Sequence, residues 1–196
     1  ASGNDGDESG GNYNYPASCT NVISVGATNS LDNRAVYSQF NNQVDIAAPG
    51  GSSSIDADAD GIVDQVFALG TNTQVIGSQG TSMASPHIAG GIALLYSIDS
   101  TMSPSKVNTY LQAGYLTDDI GASGPDTSFG YGRLNLAKAV ENTLVQLGDS
   151  STTFFASNTS YANFGSATTQ INITISKVGN ASLSVSSLSA DDGTGF

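Results

Sequence analysis

The residues with the clearest capacity for chemistry lie in the run Gly80-Thr81-Ser82-Met83-Ala84-Ser85-Pro86-His87-Ile88-Ala89-Gly90. This run sets a serine at the start of an apolar, helix-like segment, directly after a glycine-bearing loop. A hydroxyl there projects from the helix end, the N–H beside it is one of the unpaired donors of the first turn, and the dipole favours developing negative charge. That geometry suits a nucleophile. A serine hydroxyl is essentially un-ionised at neutral pH and needs a base. The chain has one histidine, His87, and five residues at about 100° each set it roughly 140° around the helix from Ser82. It cannot reach back for the proton, so the base has to come from elsewhere. By position alone, a serine at a helix start is usually a plain cap. Gly80-x-Ser82 also begins like the nucleophile elbow of α/β-hydrolases, but Ala84 stands where the second glycine is required, and no clear strand runs into the serine.

A second constellation is Asp56-Ala57-Asp58-Ala59-Asp60-Gly61-Ile62-Val63-Asp64, with carboxylates at positions 1, 3, 5 and 9 of a loop and glycine at position 6. Hard oxygen ligands at this spacing suit Ca²⁺, as in an EF-hand type loop. Position 12 is Phe67, which offers no bidentate carboxylate, so the loop departs from a true EF-hand. Asp64 or a carboxylate from another segment completes the shell. Four carboxylates this close repel one another without a cation, which favours a structural calcium site over an acidic surface loop. Bound there, between the Pro49 turn and Ser82, calcium would stabilise a wall of the site.

These residues need a scaffold. Val22–Ala27 and Val44–Ala48 are short apolar runs bounded by Asn, Pro and Gly, the pattern of strands buried in a sheet. Ser82–Ile98 is apolar nearly all round, which predicts a central buried helix with Pro86 in its first turn. Ser103-Pro104 supplies a cap and first-turn proline for a helix carrying Val107, Tyr110 and Leu111, and Asn135 precedes another carrying Leu136, Val140 and Leu144. Strands followed by helices make residues 1–145 an α/β unit. After a linker at 146–153, residues 154–196 alternate in β fashion, with Gly179-Asn180 as a turn. They predict the start of a truncated, all-β, Ig-like sandwich.

Composition narrows the function classes. With 17 acidic against 5 basic residues, a net charge of -12 and no Lys/Arg cluster, nucleic acid is excluded as a partner. No window of eighteen apolar residues exists to span a membrane. The first residues read as a loop leaving a strand, so the expectation is that an N-terminal part is missing. Cys19 is the single cysteine; it has a partner in that part or is a small buried thiol. The Asn-x-Ser/Thr matches at Asn158, Asn172 and Asn180 are what chance gives in so Ser/Thr/Asn-rich a stretch.

Gly80-Thr81-Ser82-Met83-Ala84-Ser85-Pro86-His87 resembles, residue for residue, the nucleophile motif of the subtilisin-like peptidases, the subtilases. The resemblance implies that Ser82 is the catalytic serine and His87 a structural helix residue. Ala1-Ser2-Gly3-Asn4-Asp5-Gly6 is similar to the family's Ala-x-Gly-Asn segment, which implies that the Asn4 amide and the Ser82 N–H form the oxyanion hole. It further implies that Ala1, Ser2, Gly3 and Thr81 bind substrate, with Ala1 and Gly3 lining the primary specificity pocket. Taken alone, an asparagine in a glycine-rich turn reads as a turn former.

Tyr15–Cys19 with Val22–Ala27 is similar to the strand after the specificity pocket, Asp45–Gly50 to a core strand and turn, and Tyr131–Leu136 to the step into the family's final helix. The resemblance covers residues 1 to about 145. It implies a subtilisin-like parallel-sheet sandwich with helices on both faces, and a secreted or cell-surface serine endopeptidase acting on proteins or peptides. The triad Asp and His would lie upstream, so this stretch alone should be inactive. The alternative of another class is a catalytically inactive, calcium-dependent binding or surface protein on the same scaffold.

Overall fold

The computed structural model describes residues 1–6, 12–71 and 74–148, together with the backbone of two short strands at 154–157 and 175–178. The chain divides into two units, Ala1–Thr143 and Leu144–Phe196. In chain order the elements are β1 (Val25–Thr28), β2 (Ile46–Pro49), β3 (Val66–Leu69), β4 (Val75–Ser78), α1 (Thr81–Ile98), α2 (Pro104–Gln112), β5 (Thr117–Asp118), β6 (Arg133–Leu134), α3 (Leu136–Gln146), β7 (Phe154–Ser157) and β8 (Ile175–Val178).

The first unit is built on a four-stranded sheet of order β1-β2-β6-β5. β1 pairs with β2 and β2 with β6 in parallel, whereas β5 runs antiparallel to β6. The sheet is therefore mixed rather than all-parallel. Its antiparallel edge arises because residues 117 to 134 form a returning loop, which needs no crossover helix. β1 and the first three residues of β2 are buried, as their small and apolar Val, Ile, Ala and Gly residues permit, and Pro49 at the end of β2 is exposed.

α1 packs across β1 and β2. Its buried residues, Thr81, Ala84, Ile88, Gly91 and Leu95, form one stripe at helical spacing. Gly91 belongs to that stripe for a steric reason: a Cβ there would lie 2.8 Å from Leu136 and 3.3 Å from Leu134. Outside the stripe, the apolar Leu94 and Tyr96 are each 42% exposed, so α1 is not buried all round by the described residues. Pro86 also differs from expectation. It is the sixth helical residue, beyond the four N–H groups that lack partners, and so leaves the Ser82 carbonyl without its intrahelical donor.

α2 begins as its sequence dictates, with the Ser103 hydroxyl accepting from Lys106 N at 3.2 Å and Pro104 following. Asn135 caps α3 in the same way, accepting from Lys138 N at 3.0 Å. Val107, Tyr110 and Leu111 of α2 and Ala139 of α3 join Ile46, Ile88 and Leu95 in the core.

The hairpin β3–β4 has no clear signal in the sequence; its register pairs Val66 with Ser78 and Leu69 with Val75. In the second unit β7 and β8 pair antiparallel, Phe154 opposite Val178. The remainder of the Ig-like reading for 154–196, and most of the 146–153 linker, lie outside the described residues. No described helix is long and apolar enough to cross a membrane.

Candidate active site

The site forms where residues 1–6 meet the first turn of α1. Ser2 N donates to Val25 O at 2.8 Å, and Gln39 N donates to Gly3 O at 3.0 Å. The segment is thus held between β1 and the loop around Gln39. Asn14 Nδ2 donates to Ser2 O at 3.0 Å and packs on the face of Gly3, where a Cβ would collide with it. Gly3 adopts a φ of 119°, which a side chain would strain.

From this clamp the chain reaches α1. Gly3 N donates to Thr81 Oγ1 at 3.2 Å, and Asn4 Oδ1 accepts from both Thr81 N and Thr81 Oγ1 at 2.9 Å. Gly80 precedes the helix with φ 147° and ψ 160°, and makes no side-chain cap of its own. Gly80 N donates to Gly50 O at 2.9 Å, tying the entry of α1 to the turn after β2. That turn is braced in its turn by the Tyr37 hydroxyl, which donates to Gly51 O at 2.8 Å. Burial raises the Tyr37 pKa above the ordinary tyrosine value.

The first amides of α1 therefore divide their roles. Thr81 N is used by Asn4, and Met83 N by Gly80 O at 2.9 Å. Ser82 N and Asn4 Nδ2 donate to no described residue. Ser82 and Asn4 are both exposed, whereas Thr81 is fully buried. His87 is exposed and its Nδ1 lies 2.8 Å from Met83 O, within its own helix.

Of the residues proposed to contact substrate, Ala1 is exposed, Ser2 buried and Gly3 half-buried. A cavity of about 500 Å³ opens beside Ser82, lined by Val66, Ala68, Leu69 and Ile76 of the hairpin and by Met83 and Pro86 of α1. The hairpin exposes large apolar side chains, including Phe67, Val75 and the cavity-lining Leu69. Its signal in the sequence is two short β-rich runs flanking Gly70, a pattern the neighbouring acidic loop obscures. The hairpin also brings a strand close to the serine, but that strand lies outside the main sheet.

In the acidic loop, Asp56, Asp58 and Asp60 each offer a carboxylate oxygen within 4.8 Å of the others, all exposed. Backbone amides point at them: Gly61 N to Asp56 at 2.9 Å and Ile62 N to Asp60 at 2.7 Å. Asp64 stands apart from the trio. Its carboxylate accepts from Ser30 Oγ at 2.5 Å and Ala57 N at 2.9 Å, which lowers its pKa below the ordinary carboxylate value. Cys19 is exposed and unpaired among the described residues.

The subtilase family profile matches residues 1–132. The chain belongs to the subtilase family. It is 40% identical over 119 residues to an extracellular protease of Xanthomonas campestris pv. campestris, covering 57% of this chain and 18% of that protein. It is 33% identical over 168 residues to a cell wall-associated protease of Bacillus subtilis, covering 75% of this chain and 17% of the relative. The chain thus spans less than a fifth of the length of either relative. Of solved structures, a protease of Pseudoalteromonas arctica superposes with a TM-score of 0.56 at 35% identity, over 72% of this chain and 41% of that one. A lanthipeptide protease gives a TM-score of 0.61 at 25% identity, over 72% and 50%.

Proposed function

We propose that this chain carries the nucleophile and the oxyanion hole of a serine endopeptidase. The observation that carries the reading is the junction of Asn4 with the N-terminus of α1. Two donors, Asn4 Nδ2 and Ser82 N, stand beside the exposed Ser82 with no described acceptor, while the flanking amides Gly80 N, Thr81 N and Met83 N and the Thr81 hydroxyl are all used. In the reaction, Ser82 Oγ attacks the peptide carbonyl, and the negative charge that develops on its oxygen is held by those donors. The bond to the leaving amine breaks to give an acyl-enzyme, which water then hydrolyses.

The proton of Ser82 goes to a histidine outside this chain, oriented by an aspartate, because His87 is the chain's single histidine and bonds to its own helix. We place both in another part of the same polypeptide, packed on the apolar wall beside Ser82 and the exposed apolar side of α1. By itself the chain is inactive. Its substrates are proteins or peptides, with Ala1 and Gly3 at the binding cleft and the buried Ser2 and Thr81 supporting it from behind, and the enzyme works outside the cell, as the names of its relatives indicate for them.

Asp56, Asp58 and Asp60 fit a calcium ion by the chemistry of the donor set: three hard carboxylates brought together at the surface, with loop amides orienting them. Asp64 would enter the shell by giving up Ser30. When bound, calcium supplies charge neutralisation to the loop that leads into β3.

Labelling of Ser82 by a fluorophosphonate tests the reading. The complete protein should label and this chain alone should not. A folded complete protein that fails to label would favour a binding protein built on the subtilase scaffold.

A further inference from the structure

We infer that a cleft on the leaving-group side of Asn4, with Asn29 in its wall, takes a neutral polar side chain, a carboxamide or a hydroxyl, from one of the first two residues after the scissile bond. The inference rests on the function proposed above and names a substrate class for it. A cavity of about 310 Å³ opens beside Asn4, between residues 4–6, the loop at 35–37 and the segment Ser52–Ile55. Chain direction gives its side. In the proposed function Ala1 and Gly3 hold the residue before the cut, and Asn4 meets the reacting carbonyl. The chain then runs on through Asp5 to Gly6, which packs so closely that a Cβ there would lie 2.2 Å from the Val36 carbonyl oxygen. The cavity that Asp5 and Gly6 line therefore lies past the reacting carbonyl, where the amine product departs.

The wall is polar and held in place. Asn29 is only 8% exposed, and its Oδ1 accepts from both Leu31 N at 3.0 Å and Asn33 N at 3.1 Å. Those bonds fix the carboxamide and leave Nδ2, which can only donate, without an acceptor among the described residues. The next residue, Ser30, donates through Oγ to Asp64 at 2.5 Å, and Ser52 N donates to the Asp64 carbonyl at 2.8 Å. Asp64 thus ties the Asn29 wall to the Ser52 wall. Among the described lining residues Asp5 alone is charged. An apolar side chain in the cleft would leave Asn29 Nδ2 unpaired, which is costly for a buried donor. A carboxylate would face Asp5 in a chain of net charge -12, and an ammonium would offer Nδ2 no acceptor. A carboxamide or hydroxyl serves both, its oxygen accepting from Nδ2 and its N–H or O–H donating to Asp5.

The test uses the complete protease and peptides identical before the scissile bond, with Gln, Ser, Leu, Lys or Glu at the first or the second position after it. At one of the two positions, kcat/KM for Gln and Ser should exceed that for the other three about three- to tenfold. Asn29→Asp keeps an acceptor for Leu31 and Asn33 but removes the donor. It should erase that advantage, slowing the Gln and Ser peptides more than the Leu peptide. Asp5→Asn, at an exposed residue, should raise the Glu peptide relative to Gln about two- to fivefold. Equal kcat/KM for all five side chains at both positions, a wild-type preference for Leu, or an advantage that survives Asn29→Asp overturns the inference. If melting curves show that Asn29→Asp does not fold, the wild-type ranking and Asp5→Asn decide, and an unmoved Glu to Gln ratio in Asp5→Asn counts against the cleft. If the folded, complete protein cleaves none of the peptides and takes no fluorophosphonate label, the proposed function itself fails, and this inference with it.

Discussion

Asn4 Oδ1 lies 2.9 Å from both the backbone nitrogen and the hydroxyl of Thr81, across 77 positions of sequence. The bond does two jobs. It caps α1, whose preceding residue, Gly80, has no side chain to do so. It also leaves the amide end of Asn4 to face a substrate.

The two jobs can be separated by substitution. Asn4→Ala removes both, and should lower kcat about a hundred- to a thousandfold and stability by about 1 kcal/mol. Asn4→Asp keeps an acceptor for Thr81 at a helix N-terminus, where negative charge is favourable, but has no donor for the oxyanion. It should retain the wild-type melting temperature while losing at least as much turnover. A parallel fall in melting temperature for both variants would refute the division.

Gly80 is the next point of sensitivity. Its φ of 147° with ψ of 160° lies in a region open essentially to glycine alone. Gly80→Ala should cost about 1–3 kcal/mol in backbone strain and push a methyl group toward Asn4 Nδ2 and Met83 Sδ. Chemical denaturation, together with the rate of fluorophosphonate labelling in the complete protein, should show both losses.

The acidic loop predicts a metal dependence. Calcium should raise the melting temperature, and a chelator should lower it and slow the labelling of Ser82. Asp58→Asn or Asp60→Asn should weaken the response to calcium. Asp64→Asn separates two roles, because Asp64 now holds Ser30 and Ala57; if Asp64 joins the shell it should also lose calcium affinity, whereas Ser30→Ala should not. Calorimetric titration of the four variants reads the difference, and equal calcium affinity in all of them would rule the site out.

The sequence made some of this architecture legible and hid the rest for physical reasons. Ser103-Pro104 and Asn135 announce helix starts because caps are local chemistry, and both side chains make those bonds. The approach of Asn4 to the start of α1 follows only from family resemblance, which pairs it with the Ser82 N–H; its bonds to Thr81 have no signal in the sequence, since no local pattern joins residues 77 positions apart. The hairpin β3–β4 is hidden in the sequence because strands of four residues beside an acidic loop have little periodicity. The antiparallel edge of the sheet is illegible for a similar reason, β5 and β6 being two residues each. The α1 sequence reads as buried on every side, yet only one stripe is covered here. Apolar periodicity records what a helix meets in its complete protein, and this chain is a small part of its relatives' length.

The last prediction concerns acid stability. Asp99 ends α1, where the helix dipole disfavours negative charge, yet its side chain is 1% exposed. Lys106 resolves the conflict by donating to Asp99 Oδ2 at 2.5 Å, and the Thr101 hydroxyl donates to Oδ1 at 2.7 Å. Those bonds hold the Asp99 carboxyl down to about 2, against an ordinary value of 3.8. Because the folded value is the lower one, the pair stabilises the fold fully above the ordinary value and loses that contribution as pH falls toward about 2. Asp99→Asn should therefore lower the melting temperature near neutral pH and flatten its decline across that acidic window. Lys106→Met should be the more damaging change near neutral pH, since it leaves a buried carboxylate at a helix C-terminus without its counter-charge. Melting curves for both variants between pH 2 and pH 7 provide the check, and an unaltered acid slope in Asp99→Asn would show that other carboxylates govern acid unfolding.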